Sequence, residues 1–406
     1  MRGRLLLMPL SLLADLVAID SVNPDLVPGA AGESALATFC AEWMTRHGLE
    51  VHRLEGRAGR PSIVGIAKGT GGGPSLLLNG HLDTVSIAGY DGNALEPVER
   101  DGKLFGRGSF DMKSGLAAMM VATARARESG LAGDVLVACV ADEEFGSIGT
   151  EEVLRHFRAD AAIVVEPSHL EVTMAHRGFA WFEVVLRGKA AHGSTPHSGI
   201  DAIAHAGRVM AALDQLGNRI RSRPPHPLLG HGAVRIALIR GGEDAATVAA
   251  ECRMTIERRM MPAETPDAME AELATLLEGL AASDPQFDYT LTRLVGRQGF
   301  EADQGSPVAR AVVRNAERVL GRPPVIRGEP FWTDAGLIAE AGIPCVVFGV
   351  DGGGAHAATE WVTTESLHQV TDVLTGVIQE LCGPRARPDG SRSVGDVAAH
   401  EEKALP

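Results

Sequence analysis

Five short segments of the chain set imidazoles and carboxylates just behind apolar runs, and these ligand types suit a divalent metal such as zinc. LLLNGHLDTV ends in His81, with Asp83 two residues on, a spacing that aims both to the same side if the strand persists. His81 would then hold a metal through one ring nitrogen while Asp83 accepts the other ring N–H. A polar loop contact is the competing reading. GRGSFDMKSG offers Asp111 ahead of a helix starting near Ser114, where an Asp also serves as a helix N-cap. DVLVACVADEEFGS ends a strand in Asp142, Glu143 and Glu144. Three adjacent carboxylates repel unless positive charge lies nearby. A metal relieves this, with one glutamate binding it and its neighbour left free to take a proton from water, whereas without one the segment is a solvated acidic loop. AAIVVEP supplies Glu166 at another strand end, and GVDGGGAHAATEWV sets His356 behind three glycines that permit close backbone approach. Each has an ordinary loop role as its alternative, but five such residues at five strand ends together point to metal chemistry.

The elements that must position them read as an α/β fold. Apolar runs before His81, Asp142 and Glu166 alternate with a helical SGLAAMMVATARAR, and continuous apolar strands imply a mostly parallel sheet covered on both faces, with ligands at the C-terminal strand ends. From about residue 178 the pattern becomes β-α-β-β-α-β, the ferredoxin-like arrangement that can fold as a domain of its own. The α/β pattern resumes near 293 with PVARAVVRNAERVL and GIPCVVFGV. The expected organisation is a metal-binding domain of residues 1–177 and 293–383, an inserted domain of 178–292, and a disordered tail of 384–406, rich in Pro, Arg, Ser and Asp without apolar periodicity. Leu12, Leu13, Leu16 and Ile19 stand near helical spacing, predicting an amphipathic first helix ended by Asn23-Pro24; a signal peptide is the weaker reading of this start, since it lacks a small-residue cleavage site. GTGGG at 69–73 lacks the Lys-Ser/Thr of a phosphate loop and reads as a strand-to-strand connection.

Composition sets the frame. With 406 residues and 45% hydrophobic positions, the chain exceeds what one core usually holds. A balance of 38 basic against 52 acidic residues, net −14, argues against nucleic acid as a partner. No apolar run reaches membrane-span length, so no membrane partner is expected. Cys40, Cys139, Cys252, Cys345 and Cys382 are odd in number and scattered, which fits a reducing, cytoplasmic compartment.

The order GHLDTV, GRGSFDMKSG, DEE, VVEP, KAAHGS and GGGAHAATEW resembles the acetylornithine deacetylase, succinyl-diaminopimelate desuccinylase and carboxypeptidase G family of di-zinc amidohydrolases and peptidases, over nearly all the chain but the tail. The resemblance implies a zinc-exopeptidase-like catalytic domain with a ferredoxin-like lid and dimerisation domain. It implies two divalent ions, zinc or alternatively cobalt, with Asp111 bridging them, His81 and Glu166 completing one site and Glu144 and His356 the other. Glu143 would be the general base and Asp83 a supporting catalytic residue. His192 in KAAHGSTP is similar to a family histidine that reaches a neighbouring subunit's site and stabilises the oxyanion; a turn histidine is the plainer alternative. Arg259 in ERRMMP would grip a substrate carboxylate, as a guanidinium pairs bidentately with one.

The chain departs from the family pattern in two places. Glu257 stands where the D-x-R-x-x-P motif has Asp, and GGEDAA puts Ala246 where many relatives have Asn, which leaves the lid's contact to substrate open. EPFWTDAG resembles another segment near the site, with Thr333 and Asp334, and Trp332 fits either a substrate pocket or the core. The implied activity is hydrolysis of the amide of an N-acyl amino acid by metal-activated water, in a homodimer. A di-zinc carboxypeptidase or dipeptidase acting on peptide-like substrates is the first alternative, and a catalytically silent dimeric binding protein the second.

Overall fold

The computed structural model describes residues 8–384; the expected tail from 385 onward and the first seven residues, with the signal-peptide reading of the chain's start, lie outside the described residues. A nine-stranded sheet runs Glu50–Leu54, Ser62–Ala67, Val135–Val140, Leu76–His81, Ala161–Val164, Cys345–Val347, Val172–His176 and Phe300–Glu301, with Ile326–Glu329 also paired to Val172–His176. Its middle is parallel: Leu76–His81 lies between Val135–Val140 and Ala161–Val164, and the last pairs with Cys345–Val347. Both flanks carry antiparallel pairs, so the sheet is mixed rather than mostly parallel. The physical reason is connection length. Glu50–Leu54 and Ser62–Ala67 are joined by a short loop with no crossover helix, which allows only an antiparallel pair.

The continuous apolar runs divide between two faces as strand geometry requires. Leu76, Leu78, Val135, Val137 and Ile163 pack with the helices Pro9–Val17, Ser34–Arg46, Lys113–Glu128, Pro307–Leu320 and Thr364–Cys382. Leu77, Leu136, Ala138, Ala162 and Val164 pack on the other face with Ile148–His156 and Ala335–Glu340. Because the four central strands run the same way, their C-terminal ends share one edge of the sheet. His81, the Asp142–Glu144 segment and Glu166 all sit there.

A second sheet is wholly antiparallel, in the order Ala233–Gly241, Glu251–Met260, Gly178–Arg187, Asp288–Arg297. Ala180, Phe182, Val184 and Leu186 alternate inward from Gly178–Arg187 and meet Val209 and Leu213 of the helix Ala202–Ser222 and Leu273 and Leu277 of Pro266–Ser283. This apolar cluster is separate from the two around the large sheet. A third, small sheet, Gly352–Gly353, Trp361–Thr363, Lys103–Phe105 and Val98–Arg100, has no counterpart in the sequence expectations, since its strands are two or three residues long.

The first helix differs from expectation at its end. It stops at Val17, well before Asn23-Pro24, with the Ala18 N–H donating to the Ala14 carbonyl and the Ile19 N–H to that of Leu16. The buried Lys113 ammonium takes the carbonyls of Leu16 and Ile19 at 3.0 and 2.7 Å. A backbone turn and a distant cation together serve the carbonyls at and just past the helix end, so no proline is needed there.

His176, the last residue of Val172–His176, is fully buried between Phe300 and Trp332. Burial lowers its pKa from 6.5 to about 4, against the upward pull of backbone hydrogen bonds. The folded state thus holds it neutral where the unfolded chain takes up a proton, so its stabilising contribution is complete above pH 6.5 and is lost as pH falls towards 4. The expected loss over that window is about 3 kcal/mol. Denaturant titrations should show the gap between wild type and His176→Gln narrowing by about that amount from pH 7 to 4; a constant gap would refute the assignment.

Candidate metal centre and active site

His81 closes its strand with both ring nitrogens engaged. Nδ1 stands 2.8 Å from the backbone carbonyl of Asp83, and Nε2 lies 3.2 Å from Asp111 Oδ1 and 3.5 Å from Glu166 Oε1. Asp83 was expected to accept the ring N–H through its carboxylate. Its carbonyl does so instead, the nearer carboxylate oxygen lying 3.8 Å away. That carboxylate is occupied otherwise, accepting the N–H groups of Glu143 and Glu144, each at 3.1 Å, and the amide of Asn23 at 2.7 Å.

Asp111 is not an N-cap: Met112 holds that position without a side-chain bond. The carboxylate instead lies between two imidazoles, with Oδ2 3.3 Å from His356 Nε2. His356 also lies 3.1 Å from Glu144 Oε2. The histidine sits on the turn between Gly352–Gly353 and Trp361–Thr363 with φ at 60°, and Gly354 beside it has φ 78° with a backbone carbonyl where a Cβ would stand. Only glycine fits there.

The loop bearing Asp111 is held by Glu360, a buried residue with no sequence signature of its own. Glu360 accepts the N–H groups of Phe110 and Asp111 at 2.9 Å and of Gly108 at 3.0 Å, and pairs with the buried Arg107 at 2.8 Å. The small sheet makes this contact possible by laying Trp361–Thr363 against Lys103–Phe105.

Two candidate ligand sets result: His81, Asp111 and Glu166, and Asp111, Glu144 and His356, in each of which one donor atom per residue lies within 4.8 Å of the others. They share Asp111. Glu143 lies beside them and belongs to neither. The electrostatics show a shortage of positive charge. Burial, then the charge of Glu166, lifts Glu143 well above the usual carboxylate range; burial also lifts Glu166 and Glu144. Burial disfavours a charged His81, yet the charges of Glu166 and the hydrogen bond to Asp111 push it well above 6.5. Hydrogen bonds to Asp111 and Glu144 raise His356 to about 10. Burial would raise Asp111, but its bonds to the two imidazoles hold it below the usual range. A nitrogen and oxygen donor set with this deficit fits divalent cations of the zinc type.

Above the sets opens a cavity of about 350 Å³ lined by Asp111, Glu143, Glu144, Glu166 and His356 and walled by Phe110, His169, Arg327, Glu329, Phe331, Trp332 and Thr333. Trp332 therefore lines the cavity, and its indole N–H donates to the Gln298 carbonyl at 2.9 Å. Asp334 is buried behind it and accepts from Thr150 at 2.6 Å. Arg327 and Glu329, paired at 2.7 Å, escaped the sequence reading because IRGE is too short and polar to register as a strand.

The two residues expected from the inserted segment lie outside this cavity. His192 is exposed, with Nδ1 2.8 Å from Ser194 Oγ, and its strand bridge to Thr247 sets it near Ala246, whose carbonyl accepts the Gly193 N–H. Arg259 pairs with the buried Glu257 at 2.9 Å and lies over the Phe179 ring, which itself meets Trp332 edge-on.

The chain is similar to known proteins over most of its length. The model of peptidase family M20/M25/M40 matches residues 77–380. An N-formyl-4-amino-5-aminomethyl-2-methylpyrimidine deformylase of Bacillus subtilis is 29% identical over 388 residues, 87% of this chain and 91% of that protein. An acetylornithine deacetylase of Myxococcus xanthus is 29% identical over 391 residues, covering 92% and 97%. Among solved structures, aminopeptidase PepT from Bacillus cereus superposes with a TM-score of 0.75 at 22% identity over 92% of this chain and 98% of that one. With all five candidate ligand residues inside the matched span, the chain belongs to peptidase family M20/M25/M40 and is an amide-cleaving hydrolase.

Proposed function

We propose that this enzyme removes the acyl group from an N-acyl amino acid or a closely related acyl amide, using two divalent metal ions. One observation carries the reading: Glu143 stands at the floor of the cavity beside two imidazole–carboxylate sets without belonging to either. His81 and Glu166 would hold one ion, Glu144 and His356 the other, and Asp111 would bridge, with zinc the expected metal and cobalt a functional substitute. When bound, such ions polarise the scissile carbonyl and make water a nucleophile near neutral pH.

The remaining work belongs to the chain. Glu143 takes a proton from the attacking water and returns it to the leaving amine. The Glu143 and Glu144 N–H bonds to Asp83 hold the turn that carries both glutamates, so that one could meet an ion while the other stays free. Phe110, Phe331 and Trp332 give the cavity an apolar wall for the part of the substrate beside the amide. Residues 178–292 act in this reading as a ferredoxin-like lid that also pairs two subunits, supported by the strand order and separate apolar cluster of that segment. His192 would stabilise the oxyanion of a neighbouring subunit's substrate and Arg259 would meet a substrate carboxylate on closure. Ala246 supplies no side-chain amide to that contact.

Deacylation is preferred over peptide cleavage because the two relatives at 29% identity are a deformylase and a deacetylase. Retention of Glu143 separates this from a binding protein without turnover. Among the described residues no helix is long and apolar enough to cross a membrane, and five buried free cysteines support a cytoplasmic setting.

Purified enzyme should release amine from a panel of N-acyl amino acids, lose this activity on chelation, and regain it with zinc or cobalt; full activity without metal would refute the reading, and turnover of dipeptides alone would transfer it to peptidase. Glu143→Ala should bind both ions yet lose about 10²–10⁴-fold in kcat, as measured by metal analysis and steady-state kinetics. Mixing inactive Glu143→Ala and His192→Ala subunits should restore activity to about a quarter of wild type if His192 acts across a twofold dimer; no recovery would confine it to its own subunit.

A further inference from the structure

Behind the ligand sets lies a buried charged network that the proposed chemistry does not use. Arg60, only 3% exposed, donates Nε and Nη2 to the two oxygens of Glu33 at 2.8 and 2.6 Å, Nη2 also to Asp142 Oδ1 at 2.7 Å, and Nη1 to Asp25. Asp142 Oδ1 accepts in addition the side-chain amide of Asn23 at 3.1 Å, and that same amide nitrogen donates to Asp83 Oδ2 at 2.7 Å. The orientation of Asn23 is fixed independently, because its Oδ1 accepts the Asp25 N–H at 2.9 Å. Both amide protons are therefore committed, one to each aspartate. Asp83 in turn receives the N–H groups of Glu143 and Glu144.

We infer that Arg60 is a positioning residue for the active site, acting through Asp142 and Asn23 on the turn that bears Glu143 and Glu144; the inference rests on the metallohydrolase reading above. The turn needs such support. Asp142 has φ at 72°, a left-handed conformation that a non-glycine residue adopts only when its surroundings impose it, and its carbonyl already gathers the N–H groups of Gly146 and Ser147. Arg60 supplies the cation that lets Glu33 and Asp142 stay together as acceptors in a dry interior, while the partly exposed Asp25 is shared with Arg57. Without it Asp142 loses its charge partner, Asn23 loses the anchor on one proton, and Asp83 is freed to shift. A shift of Asp83 moves the backbone N–H groups of Glu143 and Glu144, one a proposed base and the other a proposed ligand. Outer contacts of this kind govern metal affinity as well as rate.

The test uses the full-length enzyme. Asn23→Leu keeps the branching and the number of heavy side-chain atoms in a bulkier side chain and leaves the ion pairs of Arg60 in place, while cutting both donated bonds and the one accepted from the Asp25 N–H. It should lower kcat about ten- to a hundredfold, with zinc affinity by calorimetric titration weakened over a similar range and KM changed by less than about twofold. Arg60→Met should reproduce these effects, and Arg60→Lys, which keeps a cation but not the fork, should fall between Met and wild type. A role confined to stability would lower the melting temperature of these variants and leave kcat and zinc affinity of the folded protein at wild-type values, and that result overturns the inference. Should the Leu and Met forms not fold, the same two measurements on Arg60→Lys decide it. Wild-type enzyme that binds no zinc would overturn the metallohydrolase reading and this inference with it, whereas wild-type binding with unchanged variant binding overturns the inference alone.

Discussion

The constraint on which the rest of the molecule depends is the concentration of negative charge at one edge of the central sheet. Asp83, Asp111, Asp142, Glu143, Glu144, Glu166, Asp334 and Glu360 lie at or just beyond the strand ends there, and most are buried. Carboxylates cannot be removed from water at that density without compensation. The chain compensates the outer members itself, with Arg60 on Asp142, Arg107 on Glu360 and backbone N–H groups on Asp83 and Glu360. Among the described residues the inner members receive only the two imidazoles. That inequality sets the inner carboxylates apart from the outer ones and makes the inner group the candidate place for external cations.

The parallel middle of the sheet creates this arrangement, since strands running the same way deliver their following residues to one edge. The price is that loops converge there with their backbone groups unsatisfied, and buried acids answer that need. Glu360 gathers three N–H groups of the Asp111 loop, and Asp83 gathers those of Glu143 and Glu144. Acidic residues at this edge thus hold loops as acceptors, and those left over form the candidate metal-ligand groups. Asp83 shows how easily the two are confused, because H-x-D spacing suggested a carboxylate bonded to the imidazole while the carboxylate in fact holds the next strand's turn.

Much of this was legible in the chain. His81, Glu144 and Glu166 stood out because each follows a strong apolar run, while Asp111 and His356 stood out by their glycine-rich settings and by resemblance, and the large helices were readable from their periodicity, Pro307–Leu320 among them. The mixed flanks of the large sheet and the three-residue strands of the small sheet were not, because short polar strands carry no period and take their partners from distant segments. Glu360, Arg60 and Asn23 were illegible for the same reason. Their partners lie as far as 253, 82 and 119 residues away, and no local pattern records such a pairing. His192 and Arg259 were recognisable by resemblance, yet within one chain they stand outside the cavity.

By itself the sequence determined the chemistry available: imidazoles and carboxylates suited to metal near strand ends, two adjacent glutamates after one strand, and a continuous apolar pattern interrupted by an alternating one along the chain. Those are properties of composition and short-range pattern, and burial periodicity writes them directly into the chain. Only the tertiary structure decided which oxygens face inward, that Asp111 lies between both histidines, that the carbonyl rather than the carboxylate of Asp83 meets His81, and that Arg60 reaches the acidic turn. Such choices depend on the competition of many buried groups for few partners, and that competition is settled only when distant segments meet.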